Sequence, residues 1–314
     1  MSSTTDRSPS FLPGLRLCRD FYVEAVRPLL DRGFPGLPHA AARVGAGSEV
    51  LGFDSERSAD HDWGPRLELF LTAEDAARHG SALSALLADR LPKQIHGRPT
   101  NFEPAGARVR VMTATTGPVA HRVHITDVAT WSAELLGFDA RRGVTDLDWL
   151  ATPAQLLGEA TGGEVFHDDT GELTGLRARL RWYPDDVWRH LLAAQWTRVA
   201  QEEAFVGRTA EAGDELGSRL IAARLARDVM RLCLLLGRRY PPYGKWLGTA
   251  FARLPGTAGI GAALGEALDA RDPARRQAAL CDAYEGAGRW QNRLGIAGAV
   301  DPTRRPFHDR PYPV

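Results

Sequence analysis

The sequence has little cysteine and no excess of charge of either sign, which argues against a disulfide-stabilised protein and against a protein that binds nucleic acid through a charged arm. Its three cysteines, Cys18, Cys233 and Cys281, are far apart and match neither a metal-ligand spacing nor an even-numbered disulfide framework. Lysine plus arginine and aspartate plus glutamate both number 39, and no long block of one sign suggests an electrostatic arm. We therefore expect no extended DNA binding.

Long apolar runs are also missing. No uninterrupted apolar stretch approaches the length that a membrane span requires, and residues 1–10 are polar, without the apolar centre of a signal peptide. These features predict a cytoplasmic protein with no membrane partner.

Hydrophobic periodicity differs between the two halves of the 314-residue chain and predicts two domains. Extended segments at 40–44, 60–71, 108–112 and 122–126 surround a predicted helix at 72–91, which Thr72 would cap with Asp75 three residues later. From 184 to 236 apolar residues recur at intervals of three and four, with Leu220, Leu225 and Val229 on one predicted face. Further helices are expected at 245–254, 259–269 and 273–294.

This pattern predicts an α+β domain with a small mixed sheet, followed by an α-helical bundle. The expected boundaries are 1–35 for an N-terminal tail and packing helix, 36–180 for the α/β domain and 181–314 for the helical domain. Pro28 is expected to bend or shorten the helix at 14–32. A turn at 169–171, predicted to belong to a hairpin, is favoured over a calcium loop.

The most informative stretch is 47–62, which combines a turn, a spacer and an acidic pair. Gly47 and Ser48 follow a predicted strand, where a missing side chain lets backbone N–H groups approach a phosphate. Asp60 and Asp62 are two residues apart, so on a strand both carboxylates would lie on the same face. Hard carboxylate oxygens suit Mg²⁺, which also bridges to substrate phosphates. The expected cofactor is therefore magnesium, with two ions in the active complex.

The Gly-Ser turn, the spacer and the Asp-x-Asp pair together resemble the signature of the DNA polymerase beta type nucleotidyltransferase superfamily. More closely, the chain resembles a bacterial and fungal family known as a domain of unknown function with a nucleotidyltransferase-like N-terminus. The similar stretches are 45–54, 60–66, 207–208, 213–218 and 242–246.

The resemblance implies a nucleotidyltransferase that moves a nucleoside monophosphate from an NTP, with ATP favoured, to a hydroxyl or phosphate acceptor. Asp60 and Asp62 would be catalytic and would bind the metal, while Gly47, Ser48 and Lys245 would bind the nucleotide. The acceptor stays open among a small molecule, a protein and an RNA end.

A third carboxylate of the superfamily pattern is not securely placed, with Glu103 and Asp127 as candidates and His124 at the expected inward position. If none reaches the metals, the alternative is an inactive nucleotide-binding or regulatory module, or a protein-interaction scaffold. In the helical half, Asp214 and Ser218 would either border an acceptor pocket or cap a helix.

Overall fold

A computed structural model describes residues 11–59, 61–107 and 109–314. Asp60, and the first residue of the strand expected at 108–112, lie outside the described residues. The chain divides into two compact units, the first ending at Arg181 and the second spanning Trp182–Val314.

Strands belong to the first unit and are short. In chain order they are β1 (Ala40–Arg43), β2 (Arg66–Phe70), β3 (Gln94–Ile95), β4 (Arg98–Pro99), β5 (Asn101–Pro104), β6 (Arg110–Thr113), β7 (Arg122–Thr126) and β8 (Glu164–Asp168). The main sheet has the order β7-β2-β1-β8. Because β1 is antiparallel to β2 and β8 while β2 is parallel to β7, the sheet is mixed, as predicted.

Helices of the first unit flank these strands. They are α1 (Gly14–Phe21), a π-helical segment (Tyr22–Val26), α2 (Arg27–Gly33), α3 (Ala73–Arg90), α4 (Val128–Leu136), α5 (Asp146–Ala151), α6 (Ala154–Thr161) and α7 (Glu172–Arg179). The Thr72 hydroxyl accepts a hydrogen bond from the Asp75 N–H at 3.0 Å, which confirms the predicted cap of α3. Helical structure runs without a break from Gly14 to Gly33, and Pro28 lies two residues after the π-helical segment, so the predicted helix changes its winding before the proline and does not end there.

Alternation along β2 decides which side of the sheet is buried. Leu67 and Leu69 belong to the hydrophobic core cluster, together with residues of α1 and α3. Residues between them point to the opposite face. There the Phe70 ring meets Trp131 of α4 edge-on, with 5.5 Å between the ring centroids. α4 thus covers the sheet face opposite the core at the Phe70 end of β2, and Glu68 lies on the same face nearer the start of the strand.

Two local predictions are wrong. The strand expected from Asp60 begins at Arg66, because Asp62 has a left-handed backbone (φ 45°) and Gly64 has φ 133°, neither of which continues a strand. The turn at 169–171 leads into α7 and not into a second hairpin strand, since β8 pairs with β1 instead.

The second unit is helical, which confirms the predicted fold class. Its helices are α8 (Asp185–Glu202), α9 (Phe205–Glu211), α10 (Glu215–Leu236), α11 (Gly244–Ala252), α12 (Ala258–Asp269) and α13 (Pro273–Leu294). Leu225 and Val229 of α10 are buried as expected, but Leu220 is 62% exposed. Among the described helices, none combines the length and the apolar character needed to cross a bilayer.

Candidate functional site

The Gly-Ser turn follows β1 as predicted. The Phe53 N–H donates to the Ser48 carbonyl at 2.8 Å and the Leu51 N–H donates to the Gly47 carbonyl at 3.3 Å, which closes a compact turn. The Ser48 hydroxyl lies 3.4 Å from the Ser58 hydroxyl. A Cβ on Gly47 would come within 2.6 Å of the Arg43 guanidinium and of the Glu49 carboxylate. Packing therefore demands glycine here, independently of any phosphate.

A largely buried cluster of charged residues packs against this turn, and its members are Arg43, Glu49, Arg66 and Glu68. Arg43 Nε and Arg66 Nη2 each donate to Glu49 Oε1 at 2.7 Å. Arg43 also donates to Glu68 at 3.2 Å, and the Val44 N–H donates to the same carboxylate at 3.0 Å. Arg43 and Glu49 are nearly inaccessible to solvent. Two arginines and two carboxylates balance their charges, as burial requires.

The titration of the cluster follows from these contacts. Burial alone would raise the pKa of Glu49, but the guanidinium charges of Arg43 and Arg66 outweigh burial and lower it. Burial alone would lower the pKa of Arg43, but the carboxylates of Glu68 and Glu49 raise it. Arg43 and Glu49 are therefore both charged at neutral pH.

Asp62 lies in the loop that enters β2. Its N–H donates to the Arg110 carbonyl at 2.9 Å, and its Oδ1 accepts from Arg122 Nη1 at 3.0 Å. The Asp62 side chain is 35% exposed, so solvent still reaches it. Since Asp62 is not in a strand, the same-face argument for Asp60 and Asp62 does not apply, and their metal binding stays a prediction.

A cation-rich cavity of about 390 Å³ lies beside Asp62, and Arg66, Glu68, Arg110, His121, Arg122, Val123 and His124 line it. The register of β2 with β7 pairs Arg66 with Arg122 and Glu68 with His124, so these four side chains share the face opposite the core. Burial lowers the pKa of His121, whose ring also contacts Ser84, and this histidine is neutral at pH 7. Among the described residues, the lining contains three arginines and one carboxylate. Arg66 and Arg122 also donate to Glu49 and Asp62, and the guanidinium N–H groups that remain favour an anionic ligand.

The candidates for a third carboxylate have different positions. Asp127 caps α4, accepting from the N–H groups of Ala129 and Thr130. Glu103 is exposed on β5 and does not line the cavity. His124 is exposed and does line it. Among the described residues, the carboxylate in the lining is that of Glu68, which the sequence analysis did not propose.

Lys245 belongs to the second unit, in the first turn of α11, and its Nζ lies 4.8 Å from the centroid of the Trp246 ring. Its role in nucleotide binding stays a prediction. Asp214 accepts from the Gly217 N–H at 2.8 Å and caps α10. The buried Ser218 hydroxyl donates to the Val206 carbonyl at 3.0 Å and accepts from Arg276 at 2.8 Å. These contacts match the capping alternative for Asp214 and a structural one for Ser218.

Sequence reasoning missed the arginines of the cavity. A signal was present, because Arg66 and Glu68 alternate with the core leucines of β2, and Arg122 and His124 alternate with Val123 in the same way. Charged residues that interleave with core residues on two strands predict a charged sheet face. The pairing of β2 with β7, however, cannot be obtained from either segment alone.

Comparisons with known proteins give a family match and similar solved structures. Residues 149–247 match the sequence profile of a family described as Domain of unknown function (DUF4037), which confirms the predicted resemblance to such a family over that region. A nucleotidyltransferase-like protein from Exiguobacterium sibiricum has a similar structure, with 10% sequence identity and a TM-score of 0.37 over 91% of this chain and 82% of that chain. No curated protein matches the chain.

Proposed function

We propose that the first unit binds a nucleoside triphosphate with magnesium and transfers its nucleoside monophosphate to a hydroxyl or phosphate acceptor. The observation that supports this proposal is the cation-rich cavity beside Asp62, which shares strand β2 with the charged cluster that supports the Gly-Ser turn. Arginine is the residue best suited to bind phosphate oxygens with two parallel hydrogen bonds. ATP is the favoured nucleotide, and the acceptor is not assigned.

The donor set is of the kind that magnesium prefers. Asp62 offers a partly exposed carboxylate, and Mg²⁺ needs only one or two carboxylates besides water and phosphate oxygens. Asp60 and Asp62 would hold the metal, which when bound would neutralise phosphate charge and lower the pKa of the acceptor hydroxyl. Arg110 and Arg122 would orient the phosphates, while Gly47 and Ser48 would offer the backbone and hydroxyl of the turn.

A second candidate is a nucleotide-binding module without transferase activity. Its support is that arginines already pair with the carboxylates in question, Asp62 with Arg122 and Glu68 with Arg43. A metal ion must compete with Arg122 for Asp62. Where that competition fails, the cavity still attracts a phosphate anion but lacks a metal to activate the acceptor.

Thermal unfolding of the full chain with each NTP, with and without Mg²⁺, tests both candidates. A ligand at 100 times its Kd stabilises the folded state by about 2.7 kcal/mol. For a unit of this size that corresponds to a rise in Tm of roughly 5–10 °C. Transfer is followed in parallel, as release of pyrophosphate and incorporation of α-phosphate label into components of a cell extract.

Asp62→Asn is the decisive variant. Asparagine tolerates the left-handed backbone at this position and keeps an oxygen for Arg122, so the loop is retained while the charge is lost. We expect it to lose the magnesium-dependent part of the shift and all transfer. Asp89→Asn is the matched control, since Asp89 is exposed on α3 and pairs with its neighbour Arg90.

Each outcome decides between the candidates. A magnesium-dependent shift that Asp62→Asn abolishes, with label transfer, supports the transferase. A shift without transfer under any condition supports the binding module. If no NTP raises Tm, or if Asp62→Asn transfers as well as the Asp89→Asn control, the proposed function is wrong.

A further inference from the structure

Three side chains that can ligate a metal converge where β1 meets β8: His39, His167 and Asp169. Asp169 lies two residues after His167, and its N–H donates to the His39 carbonyl at 3.1 Å, so the three residues share one face of the antiparallel pair. One ligand atom from each lies within 4.8 Å of the others. The two imidazole centroids are 4.6 Å apart.

The Asp169 carboxylate joins the two histidines. Its Oδ1 lies 2.9 Å from His167 Nε2, and its Oδ2 lies 3.7 Å from His39 Nδ1. The His39 backbone N–H also donates to Oδ2 at 3.0 Å, which orients the carboxylate.

Tyr22 fixes the His39 ring from the other side. Its hydroxyl lies 2.8 Å from His39 Nε2, and both side chains are buried. Histidines that ligate a metal characteristically donate their second ring N–H to an oxygen, which sets the tautomer and the ring orientation. The Leu37 carbonyl lies 3.1 Å from His39 Nδ1 and can only accept, so without a metal Nδ1–H donates to it and Nε2 accepts from the Tyr22 hydroxyl. Metal binding would select the other tautomer, in which Nε2–H donates to Tyr22 and the Nδ1 lone pair is on the side of Asp169.

We propose that His39, His167 and Asp169 bind one transition-metal ion such as Zn²⁺, at a site with three protein ligands that is distinct from the proposed nucleotide site. Two imidazoles and one carboxylate suit zinc and its neighbours and do not suit magnesium. β1 separates the two sites, with His39 preceding its first residue and the Gly-Ser turn following its last. The ion would tie the β8–α7 connection to β1 and, through Tyr22, to the π-helical segment.

The test uses the full chain, stripped with EDTA and free of any histidine tag, titrated with ZnCl₂ and CoCl₂. We expect one zinc per chain, a cobalt absorption band typical of nitrogen and oxygen ligands, and a rise in Tm with zinc that MgCl₂ does not produce. His167→Gln and Asp169→Asn should each weaken zinc binding by about 100-fold or more. Tyr22→Phe keeps the packed ring, removes only the hydroxyl and should weaken binding about 10- to 100-fold.

His96→Gln is the matched control. His96 contacts the carboxylates of Asp20 and Glu24 at 3.5 and 3.3 Å in a second, more exposed group, so this variant should keep the zinc bound to the first. Circular dichroism of the metal-free variants checks that each is folded. Absence of stoichiometric zinc, retention of zinc by folded His167→Gln, or loss of zinc by His96→Gln instead would overturn the proposal. If His167→Gln loses zinc but still shows the rise in Tm with NTP and Mg²⁺, the metal site and the proposed nucleotide site are independent of each other.

Discussion

Replacing Glu49 with glutamine tests the buried charge cluster under the Gly-Ser turn. The Glu49 carboxylate accepts two hydrogen bonds from guanidinium groups, one from Arg43 and one from Arg66, both at 2.7 Å. Each bond to a charged group contributes about 1.5–3 kcal/mol. Breaking a buried ion pair by removing one partner costs about 3–5 kcal/mol. We therefore expect the first unit to lose about 3–5 kcal/mol of stability at neutral pH.

Calorimetry and hydrogen exchange of the full chain provide the assay, since a chain with two compact units need not unfold in one step. A loss of this size lowers the Tm of a unit of 150–250 residues by roughly 6–20 °C. Amides of β1 and β2 that exchange by opening of the whole unit should exchange about 10²- to 10⁴-fold faster. Amides of the second unit should keep their protection.

Glu164→Gln is the matched control, because the side chains of Arg19 and Glu164 are 49% and 32% exposed and an exposed pair contributes about 1 kcal/mol or less. The effect also has a pH signature. The pKa of Glu49 is lowered on folding, so its contribution is present above the unfolded value of about 4.3 and is lost as the pH falls through the folded value. If Glu49→Gln costs no more than Glu164→Gln at pH 7, the cluster does not hold the charges as described.

Two further predictions concern backbone geometry and helix capping. Gly163→Ala should destabilise the first unit by more than about 3 kcal/mol, because φ is 68° and the new Cβ would lie 1.9 Å from the Arg43 carbonyl oxygen. Gly171→Ala should cost only about 1–2 kcal/mol, because φ is a similar 72° but the new Cβ would contact no atom of a non-adjacent residue. The denaturant midpoints of the two variants compare these costs. Asp127→Ala removes the cap of α4 and should cost about 1 kcal/mol at neutral pH. Hydrogen bonds that Asp127 accepts from Thr130 and Ala129 outweigh burial and lower its pKa. In urea titrations, the difference in free energy of unfolding between the native protein and Asp127→Ala should therefore shrink as the pH falls below about 3.9. A difference that stays constant with pH would contradict this prediction.

Predictions that depended on neighbouring residues agree best with the structure. The cap of α3 needs only Thr72 and Asp75, and the bounds of α13 follow from Asp272 before Pro273 and from Gly295 after Leu294. The strand expected at 60–71 failed where the local signal was mixed, since Leu67 and Leu69 indicated a strand but Gly64 and Pro65 preceded them. The chain resolves that conflict by starting β2 after the proline.

The site depends on contacts that no local pattern contains. Arg43, Glu49 and Glu68 come from the end of β1, from the turn and from β2, and only the pairing of β1 with β2 brings them together. Arg110 and Arg122 reach the same region through β6 and β7. Such pairings are set by the packing of the whole unit. Each segment alone shows only that a charged residue alternates with an apolar one.

The buried cluster of charged residues also holds side chains of the candidate site in position. Desolvating four charged groups is so costly that a buried ion network adds little net stability compared with an apolar core. The network instead fixes the orientation of its side chains, because a guanidinium or carboxylate that turns away from its partner leaves a buried charge unpaired. Arg66 is held by Glu49 while it lines the cavity, and Glu68 is held by Arg43 and the Val44 N–H while it faces the same space. The network thus fixes two charged side chains of the cavity, and the Gly-Ser turn, in the absence of a ligand, which is the preorganisation that the proposed phosphate binding requires.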